Sequence, residues 1–340
     1  MSKIISNLFK IRTVALSVSL AAAMVVSPAY AKDLKVAVGD GGGSAQEAMG
    51  LKFAELLSEK TDGKFTAKLF VNGQLGSEQT TVNDVALGTL DMSILASNNL
   101  APFAPPLGIL SLPYAFENID QAVTITTGEV GEGLKEETLK LANVRILAWT
   151  YAGFRMLTNS EKPVTSLADL EGLKVRVPKS DILIDTYKAL GASPSPVAWA
   201  ETFTALQQGV VEGQETPYAA IYSMKFGEVQ KYLSETHYVF GLEPLIVSEE
   251  LFQKQTPEIQ KAMLEAGKEA SEYSLAWIKE KEEGIKKSLV ADYGMEISTI
   301  TDEAEWTKKA QADVWPKYME QVGGKDAVNT FLKALGRDEI

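Results

Sequence analysis

From Pro257 to about Leu289 the chain keeps a helical pattern with no internal proline, placing Ile259, Met263, Ala266, Ala270, Tyr273 and Trp277 along one stripe. A helix that long is unusual inside one small domain, so the pattern predicts an element that braces two domains at once. Upstream of it, short β-branched runs alternate with helical patterns, which is the texture of an α/β fold with largely parallel sheets. "LKVAVG" reads as a strand, followed by a helix from about Ala45 to Lys60 with Met49, Phe53, Leu56 and Leu57 on its apolar face. "KFTAKLFV" and "LDMSILA" read as further strands, and "NVRILAWTYAGFRMLTN" as a long extended segment. A short helix "SLADLEG", with Ser166 as its cap, leads into a strand "LKVRVP", and a helix is predicted from about Asp181 to Leu190.

The first residues bear on compartment. Lys3, Lys10 and Arg12 precede an apolar run from about Val14 to Val26, and Ala29-Tyr30-Ala31 supplies the small residues a signal peptidase reads. Residues 1–31 are therefore expected to be a secretory signal peptide cleaved after Ala31, directing the protein out of the cytoplasm. A membrane anchor needs ~20 apolar residues; this run is shorter and is interrupted by Ser17 and Ser19. Removal leaves 340 − 31 = 309 residues, enough for two domains of ordinary size, and takes the formal charge from -12 to -12 − 3 = -15.

An exported acidic protein is a poor candidate for binding nucleic acid or anionic membrane. With no cysteine, disulfides, thiolate zinc sites and cysteine nucleophiles are excluded. The single histidine, His237 in "SETHYVFG", leaves little room for histidine-based catalysis or a multi-histidine metal centre, and reads as a structural residue at the start of an apolar strand pattern. No catalytic residue, metal site or cofactor is expected.

The glycine cluster "VGDGGGSAQE" follows a strand and opens a helix. It fits neither the dinucleotide fingerprint, whose sixth position here is Ser44, nor the Walker loop, since no lysine follows Gly43. Two readings stay open: backbone N–H groups facing an anion at a helix start, or a plain tight turn. Arginines carry a clearer signal. Alternation in "GLKVRVPKS" puts Arg176 opposite the apolar face of Leu173, Val175 and Val177, and "YAGFRMLTNS" sets Arg155 in the same situation beside Tyr151 and Phe154. From the strand alone Arg176 could face solvent. Downstream, "VAWAETFTALQQGVVEGQETP" runs from Trp199 to Glu212, Gln214, Glu215 and Thr216 crowded at a strand end. Two separated arginines with aromatic, hydroxyl and amide neighbours suit an organic anion, because a guanidinium matches a carboxylate in two-point geometry.

Taken in order, "NGQLGSEQTTVNDVALGTLDMSI", "LPYAF", "GFRMLTNSEKPVTSLADLEGLKVRVP", "GASPSPVAWAETFTALQQGVVEGQETP" and the long C-terminal helix resemble the solute-binding subunits of tripartite ATP-independent periplasmic (TRAP) transporters, the DctP family. The resemblance covers nearly the whole mature chain. It implies a periplasmic-binding-protein-like fold of two α/β domains, with crossing hinge strands, a helix spanning both domains and a ligand cleft between them. The expected division is 32–152 plus about 242–283 for domain I, and 153–241 plus about 284–340 for domain II.

The resemblance further implies that Arg176 faces the cleft and pairs with the ligand carboxylate, with Arg155 as an auxiliary arginine. Where the family usually carries an asparagine after "G-Q-E", this chain has Thr216, which has one short hydroxyl in place of two polar ends. Trp199 stands where members often carry a bulky residue against the ligand, and Asp40, Ser97 and Asn98 are expected at strand ends facing the cleft.

The expected function is capture of a small organic acid and its delivery to TRAP membrane permease subunits by a monomeric, non-enzymatic protein. A sugar acid or hydroxy acid is the leading ligand class; a short dicarboxylate or a sulfonate is the alternative. A ligand-presenting subunit for a sensor kinase and a secreted lyase or isomerase are the competing functions.

Overall fold

Strand β4 (Val144–Asn159) is the element around which the fold is arranged. The structure, a computed structural model, describes residues 32–340; the expected signal segment lies outside them. The other strands are β1 (Lys32–Val38), β2 (Phe65–Phe70), β3 (Met92–Ile94), β5 (Lys174–Val177), β6 (Ser193–Pro196), β7 (Gly213–Pro217), β8 (Tyr232–Glu235), β9 (Phe240–Ser248) and β10 (Glu296–Thr299). Their order is β2-β1-β3-β9-β4-β7-β5-β6, with β8 joining β4 to β10. From Val144 to Phe154, β4 runs antiparallel to β9; from Arg155 to Asn159 it runs antiparallel to β7, and its last three residues also pair β8. One strand thus belongs to two sheets, with a register shift between Tyr151 and Gly153 just before the change of partner. Gly153 takes φ +91° there, a backbone conformation that favours glycine.

Each sheet half is covered on both faces. Helix α1 (Ala45–Lys60) and the long helix cover one face of the first half, burying Met49, Phe53, Leu57, Met263, Ala266 and Ala270 against Leu34, Val36, Met92 and Ile94. Helix α2 (Glu78–Ala86) and the segments around Leu107–Phe116 cover the other. In the second half, Asp181–Ala189 and Glu303–Tyr318 bury Leu183, Tyr187, Trp306 and Ala310 beneath Val175 and Val177. Cover on both faces is why all nine residues of β9 are buried.

The long helix spans Pro257–Tyr293, 37 residues, or about 56 Å. It packs on α1 and β4 and reaches the helix Tyr218–Ser223. Its buried stripe differs from the expected one in the second half: Ser274 and Ile278 face inward, while Tyr273 is 40% exposed. The reason is polar. Trp149 N–H donates to Ser271 Oγ at 2.9 Å and Tyr151 N–H to Ser274 Oγ at 3.1 Å, so β4 recruits serines where apolar periodicity would have put Tyr273. The C-terminal residues expected together in the second half divide, since Glu303–Tyr318 packs on Asp181–Ala189 whereas Gly324–Ala334 packs on the helices Ile119–Thr127 and Glu129–Ala142. Phe331 and Leu332 supply the apolar face of that contact, in one cluster with Phe116 and Ile125. His237 is in the turn between β8 and β9 rather than in a strand, at φ +46°, edge-on to Phe154.

The approach of the long helix to β4 depends on Gly267. A Cβ there would stand 2.3 Å from the carbonyl oxygen of Leu147, a backbone atom that cannot turn away. Gly267→Ala is therefore expected to cost about 1–3 kcal/mol in urea unfolding. Gly284→Ala, on the same helix with open space around it, is expected to gain up to about 1 kcal/mol. Equal effects at the two positions would contradict this packing.

Candidate ligand-binding site

Where β4 changes sheets, buried charges collect from both halves. Arg155 on β4 and Arg176 on β5 come from the second half, together with Thr216 at the end of β7 and Trp199. Asp40, following β1, Gln46 on α1, Glu78 on α2 and Glu243 on β9 come from the first half, with Asn99. All of these residues are buried; Arg176 is 1% exposed, which removes the solvent-facing reading left open by its strand.

The two arginines are in different situations. Arg155 Nε donates to Glu215 Oε2, and Nη2 donates to Oε1 at 2.9 Å and to the Glu215 carbonyl at 2.9 Å. Tyr238 donates its hydroxyl to the same Oε2. Against the pull of burial, the Glu215 carboxylate holds Arg155 above its ordinary value. Arg176 has no such partner. Its Nε and Nη2 share the Val197 carbonyl at 3.0 and 2.8 Å, its guanidinium lies 5.3 Å from the Trp199 ring centroid, and Nη1 is buried without a hydrogen-bond partner. Burial pulls its pKa down to about 10; Glu215 opposes that change and Arg155 adds to it. Glu215 and Glu78 act on the guanidinium only from a distance, its direct neighbours being a neutral carbonyl and an aromatic face, and an anion at Nη1 would supply the missing ion pair.

Across the cavity the acids are strained in the opposite sense. Burial and then the Glu78 carboxylate push Asp40 up to about 7, with Arg155 opposing. Burial, Asp40 and Glu78 drive Glu243 well above the usual carboxylate range. Burial raises Glu78 too, though Asn99, the Ala96 N–H and Gln46 donate to it and favour its charged form.

Of the residues expected at the site, the structure brings Arg176, Arg155, Thr216, Trp199 and Asp40 to one cavity. Ser97 and Asn98 are buried nearby in the helix Ser97–Leu100 but do not line it; the next residue, Asn99, does, because the turn of that helix aims Asn99 at Glu78. Glu243, Glu78, Gln46 and Glu215 complete the site. Glu243 carried a readable signal, an acid inside the apolar run "FGLEPLIVS", the same anomaly that marked both arginines. In the glycine cluster Gln46 Oε1 accepts from the N–H groups of Gly39 and Asp40, Glu47 accepts from Gly43 at 2.6 Å, and Ser44 N–H closes a turn onto the Gly41 carbonyl. These bonds support the turn reading, with Ser44 capping α1.

The two halves touch around the cavity. Gln79 Nε2 donates to the Lys179 carbonyl at 3.1 Å, and Gly41 lies so close to the Ser223 carbonyl that a Cβ would come within 2.5 Å of it. The enclosed space is about 10 Å³, room for about one water, so an organic acid enters only if the halves part. The larger hollow of about 520 Å³ between Glu129–Ala142, β4 and the long helix has a different character: its cations are exposed, as Lys268 is, or already paired, as Arg145 is with Glu249 and Lys135 with Glu132.

Comparison with known proteins agrees with this fold. The family model DctP, described as bacterial extracellular solute-binding protein, family 7, matches residues 42–321. A solved TRAP periplasmic solute-binding protein from Roseobacter denitrificans with bound L-galactonate superposes with a TM-score of 0.83 at 34% identity, covering 88% of this chain and 98% of that one. The 2,3-diketo-L-gulonate-binding periplasmic protein YiaO of Escherichia coli is 32% identical over 96% of this chain and 98% of its own. The C4-dicarboxylate-binding protein DctB of Bacillus subtilis is also 32% identical, over 83% of this chain and 80% of its own. The chain belongs to the DctP family of TRAP periplasmic solute-binding proteins. Among the described residues no helix is long and apolar enough to cross a membrane.

The raised Asp40 pKa has a measurable consequence. A carboxyl whose folded pKa lies above its unfolded value of about 4 stabilises the fold fully only below that value, and each unit of the rise costs about 1.4 kcal/mol once the group ionises. Asp40→Asn should therefore gain stability over wild type progressively from pH 4 to pH 7, with a constant advantage above. Urea unfolding at several pH values measures this, and a gap independent of pH would contradict it.

Proposed function

We propose that the protein is the periplasmic binding subunit of a TRAP transporter, that it captures a sugar acid or hydroxy acid through an ion pair between the ligand carboxylate and Arg176, and that it delivers the acid to the membrane permease. The observation that carries the reading is the buried, unpartnered Nη1 of Arg176 in a cavity whose other arginine is already neutralised. A ligand carboxylate accepting from Nη1 would compensate the guanidinium at the cleft centre, with the Trp199 face behind it. Thr216 in the same lining offers one hydroxyl to the ligand. Asp40, Glu243 and Gln46 suit the hydroxyl groups of a sugar acid, since carboxyl and amide oxygens accept from O–H donors. The ligands named for the Roseobacter and Escherichia coli relatives are of this chemical class. The role is binding rather than turnover, and export by the segment 1–31 puts the protein where such a carrier works.

The reading predicts that Arg176→Ala loses about 2–5 kcal/mol of binding free energy for galactonate, while the protein still unfolds cooperatively. Arg176→Lys should bind poorly too, since an ammonium does not reproduce the planar fork. Calorimetry giving wild-type affinity for either variant would return Arg176 to a purely structural role.

A further inference from the structure

The lining carries an imbalance that the family relationship does not decide, because relatives of similar identity are named for a sugar acid and for C4-dicarboxylates. We infer that Asp40, Glu78 and Glu243 exclude a second carboxylate from the ligand, so that the cleft takes monocarboxylates rather than dicarboxylates. The inference rests on the proposed function above and narrows its ligand class.

The charges show why. Of the two cations in the lining, Arg155 is held by Glu215 through both Nε and Nη2, so Arg176 alone has a charge to offer. A ligand's first carboxylate uses it. Its far end then meets the first half of the molecule, and the lining there contains no lysine or arginine. It contains instead three buried acids on three separate elements: Asp40 after β1, Glu78 on α2 and Glu243 on β9.

The groups facing Glu243 are Asp40, Glu78, Gln46 of α1 and Arg155 on the neighbouring β4, with Glu215 and Tyr238 behind Arg155. Glu78 is occupied by Asn99, the Ala96 N–H and Gln46, whereas Glu243 Oε2 is buried with no partner. An oxygen in that state can accept a hydroxyl proton. Once ionised, it repels another carboxylate. A dicarboxylate enters only if the acids carry enough protons to donate to it, so its affinity falls as pH rises, whereas a monocarboxylate with a hydroxyl at that end loses less.

A matched pair isolates the effect. Galactonate and galactarate share a six-carbon hydroxylated chain and differ only in a terminal CH2OH against a second carboxylate. Calorimetry on the mature protein at pH 8 should give a preference for galactonate of about a hundredfold, shrinking toward pH 6. Glu243→Gln should narrow the pH 8 ratio by tenfold or more, mainly through tighter galactarate binding. Asp40→Asn should narrow it in the same direction and carries the test if Glu243→Gln fails to fold. Galactarate binding wild type within threefold of galactonate, or a ratio unchanged in both variants, would overturn the inference. A screen in which an unhydroxylated monocarboxylate binds best would reject the sugar-acid reading while supporting the exclusion, and succinate as the best ligand would reject both.

Discussion

The buried ion pair between Arg155 and Glu215 is the contact on which the cleft depends. It stands where β4 leaves one sheet for the other, ties β4 to β7, and is closed from behind by the Tyr238 hydroxyl. Breaking one side of such a pair leaves an uncompensated charge in the interior, at a cost of about 3–5 kcal/mol, so the pair fixes the local geometry. It also sets the electrostatics. With Arg155 satisfied inside the protein, the positive charge left for a ligand is concentrated on Arg176, one strand away across β7.

Under the proposed function, the same geometry would link binding to motion. Arg155, Arg176, Thr216 and Trp199 belong to the second half, Asp40, Glu78 and Glu243 to the first, and the continuous strand β4 runs between them. With the halves in contact, both groups of charges are dehydrated, and their pKa values move toward the neutral forms, down for Arg176 and up for Asp40 and Glu243. Parting the halves returns water to all of them. A ligand that supplies an anion at one end and hydroxyl donors at the other compensates these groups in the closed arrangement, and a differential interaction of that kind is what shifts a two-state equilibrium. The register shift before Gly153 marks the place in β4 where the backbone already departs from regular pairing.

Much of this was legible in the sequence because buried charge in an apolar strand is rare. Arg155 and Arg176 stood out for that reason, and the alternation of strand and helix patterns with an unbroken late helix gave the α/β class and the bracing element. Glu243 carried the same anomaly, yet an acid followed by proline also fits a strand end, and only the pairing of β9 between β3 and β4 puts it in the cleft. Ser97 and Asn98 lie off the cavity that Asn99 lines for a geometric reason: the segment forms a helical turn, and one residue's difference rotates a side chain by about 100°. The rotated stripe of the long helix had no apolar signature, because Ser271 and Ser274 face β4 to bind its backbone N–H groups rather than to bury carbon. Glu78 and Gln46 sit on helix starts, where acids and amides are ordinary, so their role emerged only from the packing of α1 and α2 around Asp40.

In the proposed complex a ligand carboxylate completes the hydrogen bonding of Arg176. The most direct measurement is a crystal structure of the mature protein grown with galactonate. Expected there are a carboxylate oxygen within about 3 Å of Arg176 Nη1, the Arg155 to Glu215 pair intact, and the hydroxylated tail directed at Asp40 and Glu243. A carboxylate seated elsewhere, with Nη1 turned to a protein oxygen, would contradict it.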